Sequence, residues 1–444
     1  MKVYTVGGYN EVGKNMTVVE TVEDAFIFDC GLFLPPIVEL EEQEKVFREK
    51  RLRSIRAVPN DHILPANVRH KVRAIIPSHA HLDHIGAIPY LAYRYKAPVF
   101  GTPFTYEVLK TEYKDEDSPQ RNKLKTAYPN SSVSIQGKNK KYQLDFINIT
   151  HSTPQTSMLA LHTPEGVFLY SNDFKFDNSP QLGLKPNYDM LKNIAKKGVK
   201  AMVVDSLYSG DDRKTASEKV ARSLLEDVML TTTNDKAGVI VTTFSSHIAR
   251  LKSIVDFGKK LNRQIVFVGR SLNKYVRAAQ NAKICPFVKD IKLVSYRNQI
   301  ERALKRANKS RDKYLIVCTG HQGEPFSVLD RMSRNQLPFK LQSEDHVIFS
   351  SSIIPTEVNI QNREQLDKKI RKRGVRIFNN VHVSGHAGRE DLRDFVNMIN
   401  PKHILPAHGE HRLISPMVEL CKELGYKPGK EVHLMDDGKV LKLN

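Results

Sequence analysis

The sequence predicts a mixed α/β protein in which one domain is inserted into another. In the first third, short apolar runs alternate with glycine-containing turns, which is typical of a sheet-rich domain. From about residue 210 helical patterns alternate with compact apolar strands, as in a doubly wound parallel sheet. After about residue 376 the chain returns to short strands, and its 444 residues are too many for one compact core.

The outer domain is predicted to consist mainly of strands. Its strands are predicted from apolar or β-branched runs at residues 3–6, 16–20, 25–29, 72–78, 142–150, 157–162 and 166–170, the last two forming a hairpin. The charged stretch 39–56 is too polar for a core, so we expect a surface helix or loop with a basic second half.

Helices and strands alternate in the predicted inserted domain, after which the chain returns to the outer domain. Helical patterns cover 214–230, 246–261 and 272–282, and the strands between them are predicted at 238–242, 264–268, 314–318 and 346–349. Two further strands, 375–378 and 403–406, are joined by a helix at 390–399 and are expected to complete the outer domain.

Composition indicates a polyanionic partner. The chain has 69 Lys and Arg against 49 Asp and Glu, a formal net charge of +20, which favours RNA or DNA over a membrane. The four cysteines are scattered without a C-x-x-C pair, so neither a disulfide framework nor a structural zinc site is expected. With no signal peptide and no bilayer-length apolar run, we expect a cytoplasmic protein.

Residues 79–84 read His-Ala-His-Leu-Asp-His, directly after a predicted strand. Such a set of imidazoles and a carboxylate can hold one or two divalent ions, zinc being favoured. His79 and His81 point the same way on an extended segment, whereas Asp83 and His84 can reach a second ion. Two neighbouring ions suit hydrolysis of a phosphodiester or an amide. The alternative is a polar surface turn.

Three more residues follow predicted strands in the same way. His151, Asp173 and His408 each stand just after a strand, where a side chain reaches the rim of a sheet. A carboxylate such as Asp173 can bridge two cations, which a neutral imidazole cannot do. Each residue alone is better explained as a turn or capping residue, but together they predict one metal site.

This set of motifs resembles the metallo-β-lactamase superfamily. The second half of the chain resembles its nucleic-acid-processing β-CASP branch, and within that branch the ribonuclease J family. The resemblance covers nearly the whole chain and rests on Val203-Val-Asp-Ser206, Thr242-Thr-Phe-Ser-Ser-His-Ile-Ala-Arg250, Val268-Gly-Arg-Ser271, Thr319-Gly-His-Gln-Gly-Glu-Pro325, Phe349-Ser-Ser-Ser-Ile-Ile-Pro355, Val383-Ser-Gly-His-Ala387 and Pro406-Ala-His-Gly-Glu410, together with Gly7-Gly8 and Glu11-Val-Gly-Lys-Asn15.

The resemblance implies a domain layout and a length class. An αββα sandwich at 1–207 and 376–444 would be interrupted by a doubly wound α/β β-CASP domain at 208–375, with the active site in the cleft between them. The chain ends without the carboxy-terminal domain of longer bacterial members, so it is expected to be of the archaeal type. A homodimer through the core is an open alternative.

The same resemblance assigns roles to residues. It implies two zinc ions per chain, manganese being an alternative: His79, His81 and His151 would hold one, Asp83, His84 and His408 the other, and Asp173 would bridge them. Asp83, Asp205 and His386 would act in catalysis. His386 would contact the scissile phosphate and, supported by Asp205, help to protonate the leaving 3′ oxygen.

Members of this family lead us to expect 5′-to-3′ degradation of single-stranded RNA with 5′-monophosphate ends. The residues that we expect to bind the nucleic acid are Ser245, Ser246, His247, Arg270, Ser271, Ser384, Gly385 and His386. Turns at helix N-termini bind phosphate well. The two serines Ser245 and Ser271 have an alternative role as ordinary helix N-caps.

The chain departs from the family pattern at two places, and other functions are also considered. Ser171-Asn172 replaces the family's Thr-Gly before Asp173, and His321 replaces a small hydroxyl residue, which affects the expected RNA path. The alternatives are an endoribonuclease, a small-molecule thioesterase or lactonase, and a non-catalytic RNA-binding subunit. The inserted domain and the positive charge disfavour the second, and the full set of candidate ligands disfavours the third.

Overall fold

The computed structural model describes residues 1–38, 48–115 and 122–443. In chain order the strands are β1 (Lys2–Gly7), β2 (Met16–Glu20), β3 (Ala25–Phe28), β4 (Val72–Ile76), β5 (Val99–Gly101), β6 (Leu124–Thr126), β7 (Ser131–Gln136), β8 (Lys141–Asn148), β9 (Ser157–Thr163), β10 (Gly166–Ser171), β11 (Val199–Asp205), β12 (Val239–Thr242), β13 (Gln264–Val268), β14 (Ile291–Val294), β15 (Tyr314–Cys318), β16 (His346–Phe349), β17 (Arg376–Phe378), β18 (Ile404–Ala407) and β19 (Lys439–Lys442).

The α-helices are α1 (Pro35–Val38), α2 (Glu49–Ser54), α3 (Ala66–Lys71), α4 (Leu82–Ile85), α5 (Ile88–Leu91), α6 (Pro103–Asp115), α7 (Tyr188–Lys197), α8 (Glu218–Glu226), α9 (Ile248–Lys260), α10 (Arg270–Asn281), α11 (Arg297–Lys309), α12 (Val328–Ser333), α13 (Glu357–Arg371), α14 (Arg389–Ile399), α15 (His411–Ile414) and α16 (Pro416–Glu423). A π-helical turn, Asp227–Thr231, extends α8. Within the described residues, every helix is too short or too polar to cross a bilayer.

Two sheets face each other in the outer domain. Their strand orders are β19-β1-β2-β3-β4-β5-β6 and β18-β11-β10-β9-β8-β7. Aromatic side chains fill the space between them, with the rings of Phe28 and Phe168 5.0 Å apart. The helices α7, α14 and α16 cover the outer face of the second sheet through Leu191, Leu392 and Leu420. This is the expected αββα sandwich, and the hairpin of β9 and β10 is confirmed.

A third, wholly parallel sheet forms the inserted domain, in the order β14-β13-β15-β12-β16-β17. Its strands are short and buried because helices cover both faces, as in a doubly wound fold. The strands expected at 264–268, 314–318 and 346–349 are found within these bounds. The sequence analysis did not identify β14, α11 or α13.

One expectation about the domain order is wrong. Residues 375–378 were expected to return to the outer domain, but β17 pairs in parallel with β16 in the third sheet. A three-residue edge strand carries too little periodicity to indicate which sheet it joins. The outer domain resumes with α14 and with β18, which pairs with β11. Of the charged stretch 39–56, residues 39–47 lie outside the described residues. Residues Glu49–Ser54 form the helix α2, as expected for part of the stretch.

The two domains share one apolar boundary. The core beside the first sheet continues through α6 into α9, α10 and the third sheet. At this boundary the ring of Phe104 on α6 lies 6.3 Å from that of Tyr275 on α10. The cleft between the domains therefore has a packed floor, and the ends of several strands open into it.

Candidate metal centre and its cleft

The hexapeptide at 79–84 occupies the turn between β4 and α4. Asp29, just after β3, accepts hydrogen bonds from the backbone N–H and the hydroxyl of Ser78, at 2.7 and 2.9 Å. The same carboxylate lies 2.7 Å from His84 Nδ1. Because Asp29 is fully buried, its carboxylate holds the start and the end of this turn in one arrangement.

Seven candidate ligands predicted from the sequence converge at this turn. One group is His79, His81, His151 and Asp173, and the other is Asp83, His84, Asp173 and His408, with ligand atoms within 4.8 Å of one another in each group. Asp173 belongs to both groups: its Oδ2 is 3.2 Å from His84 Nε2 and 3.6 Å from His79 Nε2. The geometry therefore offers two adjacent ion sites with one shared carboxylate.

Every imidazole of these groups has a partner for its second nitrogen. His79 Nδ1 lies 3.0 Å from Ser78 Oγ, and His81 Nε2 lies 3.0 Å from Ser246 Oγ. The remaining three contacts are His84 Nδ1 to Asp29 at 2.7 Å, His151 Nδ1 to the Gly385 carbonyl at 2.7 Å, and His408 Nδ1 to Asn15 Oδ1 at 3.2 Å. Such outer contacts fix the ring and the tautomer of a metal-binding histidine.

Electrostatics divide the imidazoles into two kinds. Burial lowers the pKa of His79 and of His151 well below the usual value, and lowers the pKa of His81 to about 4. These rings are therefore neutral, as metal ligands must be. Burial also lowers the pKa of His84, but the carboxylates of Asp173, Asp83 and Asp29 outweigh it and raise that pKa. That negative charge is available to a cation.

The residues fit a divalent metal. Asp173 is buried, and its Oδ1 accepts no hydrogen bond from any described residue although it lies at the centre of the cluster. A buried carboxylate oxygen without a partner is costly unless a cation binds it. The nitrogen-rich donor set with two or three carboxylate oxygens suits zinc, and it also accommodates manganese.

Unfavourable backbone geometry is concentrated at the same place. Asp29, Asp173 and His408 have φ values of 57°, 57° and 66°, in the left-handed region that residues with a side chain seldom adopt. Each such residue costs of the order of 1–3 kcal/mol and persists only because its surroundings enforce the conformation. These three sites follow β3, β10 and β18, so the strand ends turn sharply to aim carboxylates and an imidazole at one point.

A second acid–base pair lies beside the metal groups. Asp205, at the end of β11, is 2.7 Å from His386 Nδ1. Burial lowers the pKa of His386, but Asp205 and then Asp173 outweigh it and raise the pKa to about 9. The ring of His386 is stacked on that of His408, with centroids 5.4 Å apart. These carboxylates therefore favour the protonated form of His386 beside the metal groups.

The metal groups open into a cleft of ≈ 330 Å³ between the two domains. Among the predicted nucleic-acid-binding residues, those that line it are Ser245, Ser246, Ser271, Ser384, Gly385 and His386. Neither Ser245 nor Ser271 is a helix N-cap, because those positions are taken by His247 and Gly269. The capping alternative is therefore wrong for these two serines, and their binding role stays a prediction.

Two of the predicted nucleic-acid-binding residues lie elsewhere. His247 is only 4% exposed, accepts the backbone N–H of Arg250, and lies 3.4 Å from Glu218, so its ring cannot reach RNA. That expectation is wrong, because the buried ring lies between the backbone of Arg250 and the carboxylate of Glu218. Arg270 is exposed at the start of α10 but does not line the cleft.

Several residues of the site were not predicted from the sequence. Asp29 and Asn15 contact the candidate ligands from strands that are distant along the chain, and only the Glu11-to-Asn15 motif gave a signal. Phe244 lines the cleft with its ring 4.3 Å from that of His321. Ser352, in a motif noted only for its resemblance, also lines the cleft.

Fold and site together define a metallo-β-lactamase-type hydrolase with a β-CASP insertion. Models of three protein families match the chain: the metallo-β-lactamase superfamily at residues 9–229, the β-CASP domain of ribonuclease J at 236–370, and the RNA specificity domain of Zn-dependent metallo-hydrolases at 370–435. The chain belongs to the ribonuclease J family, as its relatives also demonstrate.

Two archaeal relatives match from end to end. The chain is 41% identical to ribonuclease J of Methanocaldococcus jannaschii over 99% of this chain and 98% of that protein. It is also 41% identical to ribonuclease J of Pyrococcus abyssi, over 100% and 97% of the two chains. Ribonuclease J of Helicobacter pylori is 31% identical, but the match covers 60% of that longer protein.

A solved structure supports the fold alone. The crystal structure of a protein of unknown function from Enterococcus faecalis superposes with a TM-score of 0.66 and 17% identity, covering 99% of both chains.

Proposed function

We propose that this protein is a metal-dependent ribonuclease that degrades single-stranded RNA from its 5′ end. The observation that carries the proposal is the pair of ligand groups sharing Asp173 at the floor of a cleft between two domains. Membership of the ribonuclease J family supports RNA as the substrate, and the net charge of +20 supports a polyanion.

The ligand residues would hold two divalent cations, which when bound supply positive charge to a phosphodiester and an activated water. His79, His81 and His151 would orient one ion, and Asp83, His84 and His408 the other. Asp173 would hold the two at a fixed separation. The outer hydrogen bonds keep these side chains in place before substrate arrives, so little reorganisation is needed during the reaction.

Asp205 and His386 would handle the leaving group. A raised pKa keeps His386 protonated near neutral pH, so its ring can donate a proton to the departing 3′ oxygen. Asp205 accepts from His386 Nδ1 and leaves Nε2 to face the cleft. General acid catalysis of this kind contributes about 10²–10⁴-fold to a rate.

The direction of attack depends on the cleft wall. Ser245, Ser271 and Ser384 offer hydroxyl groups, and a 5′-monophosphate gains hydrogen bonds from them that a 5′-hydroxyl end lacks. We expect a triphosphate end to be a poorer substrate than a monophosphate end. The proposal is therefore a processive 5′-to-3′ exoribonuclease with a preference for monophosphorylated ends.

An end-labelling experiment tests the direction. Metal-loaded protein is incubated with 5′-labelled and 3′-labelled RNA bearing a 5′-monophosphate, hydroxyl or triphosphate, and with a circular RNA. We expect labelled mononucleotides from the 5′ end at once, fastest with the monophosphate. Equal decay of all three ends, with equally rapid opening of the circle, would instead establish an endoribonuclease.

Two neighbouring substitutions sharpen the test. Ser271→Ala removes a hydroxyl from the cleft wall and should reduce the preference for monophosphate over hydroxyl ends. Arg270→Ala, one residue earlier and outside the cleft lining, is the matched control and should leave the preference unchanged. An effect of Arg270→Ala as large as that of Ser271→Ala would contradict this position of the pocket.

Zinc is the metal that we propose, because five imidazoles dominate the donor set. Metal analysis of protein purified without added metal, with manganese measured alongside, tests this choice. A cytoplasmic location and a homodimer stay predictions.

A further inference from the structure

We infer that Asn15 is the positioning residue for the second ion, orienting the ligands Asp83, His84 and His408 through one buried amide. This inference rests on the proposed metal-dependent function, in which Asn15 has so far had no role. The residue lies just before β2 and is 1% exposed. It closes the Glu11-to-Asn15 motif that the sequence analysis noted only for its resemblance.

The donor side of the amide faces the hexapeptide. Asn15 Nδ2 donates to the Asp83 carbonyl at 3.0 Å, and the backbone N–H of Asn15 donates to the same oxygen at 3.0 Å. A carbonyl oxygen only accepts, so the amide atom beside it must be the nitrogen. Nδ2 also lies 3.1 Å from His84 Nε2. Asn15 therefore holds the main chain of one candidate ligand and contacts the ring of the next.

The acceptor side faces the end of the chain. Asn15 Oδ1 lies 3.2 Å from His408 Nδ1 and accepts from Asn172 Nδ2 at 3.0 Å. An amide oxygen requires a proton on Nδ1, so the ring lone pair of His408 is on Nε2. The Asn172 side chain, which donates to Asn15 Oδ1, fixes the amide in the same orientation.

Gly8 packs closely against the same amide. At Gly8, where φ is +89°, an added Cβ would lie 2.4 Å from Asn15 Oδ1. The Gly8 carbonyl in turn accepts the backbone N–H of His408 at 2.6 Å. Gly8 and Asn15 thus bring the last candidate ligand, near the end of the chain, to the hexapeptide.

The first group of ligands does not depend on Asn15. Its outer contacts come from Ser78, from Ser246 and from the Gly385 carbonyl. Replacement of Asn15 should therefore weaken one ion and leave the other, a selectivity that a general loss of stability would not produce.

Stepwise metal binding tests the inference without reference to activity. Metal-free wild type, Asn15→Ala, Asn15→Asp and Ser246→Ala are titrated with cobalt(II) or zinc, and the two dissociation constants are measured by calorimetry and absorption. Asn15→Ala should weaken the second ion about 10–100-fold and leave the first, whereas Ser246→Ala should do the reverse. Asn15→Asp keeps an acceptor for His408 but loses the donor to the Asp83 carbonyl, so it should also weaken the second ion and leave the first.

The outcomes are distinguishable. Unchanged binding of the second ion in Asn15→Ala, or equal weakening of both ions, would overturn the inference while the proposed function stood. If Asn15→Ala does not fold, unchanged binding of both ions in Asn15→Asp would overturn it instead. Failure of the wild type itself to bind two ions would refute the two-metal function rather than the role of Asn15.

Discussion

Ser246 Oγ lies 3.0 Å from His81 Nε2, so a hydroxyl of the inserted domain contacts an imidazole of the outer domain. Gly385, in the segment that leads back to the outer domain, contacts His151 in the same way. The first group of candidate ligands is thus supported from across the cleft. The second group, supported by Asp29 and Asn15, lies wholly within the outer domain.

This arrangement predicts graded effects at the first ion. His81→Ala removes a ligand and should lower RNA cleavage by orders of magnitude while the thermal unfolding midpoint stays near that of the wild type. Ser246→Ala removes only the outer contact and should weaken that ion by about 10–100-fold. Ser245→Ala, which loses the same hydroxyl one residue earlier, is the matched control for metal content. Full metal content and activity in His81→Ala would refute the assignment.

A change in pH dependence is predicted for Asp205→Asn. His386 must be protonated to act as the acid, so activity is present below its pKa and is lost as pH rises through that value. Asp205 outweighs burial and raises the pKa of His386 to about 9. Without this carboxylate the alkaline limb of the kcat profile should move to lower pH. An unshifted limb would mean that His386 is not the proton donor.

The basic segment near α2 predicts a salt effect. Lys50 and Arg56 are exposed, whereas Arg53 is paired with Glu49 and the buried Asp61. If the exposed pair binds phosphates, each alanine substitution should flatten the plot of log Kd for single-stranded RNA against log salt by about 0.7. Arg306→Ala, on the exposed surface near the end of α11, is the control. Slopes equal to that of the wild type would remove this segment from the RNA path.

A buried ion pair predicts acid sensitivity. Burial raises the pKa of Glu218, but Arg250 and His247 outweigh it and hold the pKa well below its usual range. The ionised Glu218 therefore contributes its full stabilisation of the fold above the unfolded-state pKa of Glu218. This contribution is lost as pH falls through the lower folded-state pKa of the same residue. Glu218→Gln should cost about 3–5 kcal/mol at pH 7. In thermal unfolding this deficit should shrink in strong acid, and a deficit independent of pH would contradict the account.

How far the sequence could predict the site depends on where each contact originates. His151, Asp173 and His408 could be identified because each directly follows a strand, which is a local pattern. The contacts of Asn15 and Asp29 join residues that are far apart in sequence, and no periodicity records them. His247 was misassigned because a Ser-Ser-His turn after a strand has the pattern of a phosphate site, while its ring pairs with Glu218.

The fold was likewise predictable where the pattern is local and not where it depends on long-range pairing. Strands such as β13, β15 and β16 were predicted because buried parallel strands are continuous apolar runs between polar turns. The short edge strand β17 was assigned to the wrong sheet, because membership of a sheet depends on which neighbour it pairs with. Local patterns therefore gave the elements, and long-range pairing decided their partners.

Metal content and metal dependence, measured on the same protein, decide whether the chain is a two-metal ribonuclease. We expect about two divalent ions per chain, loss of RNA cleavage in chelator, and recovery when zinc or manganese is returned. Less than one ion per chain, with undiminished cleavage in chelator, would contradict it.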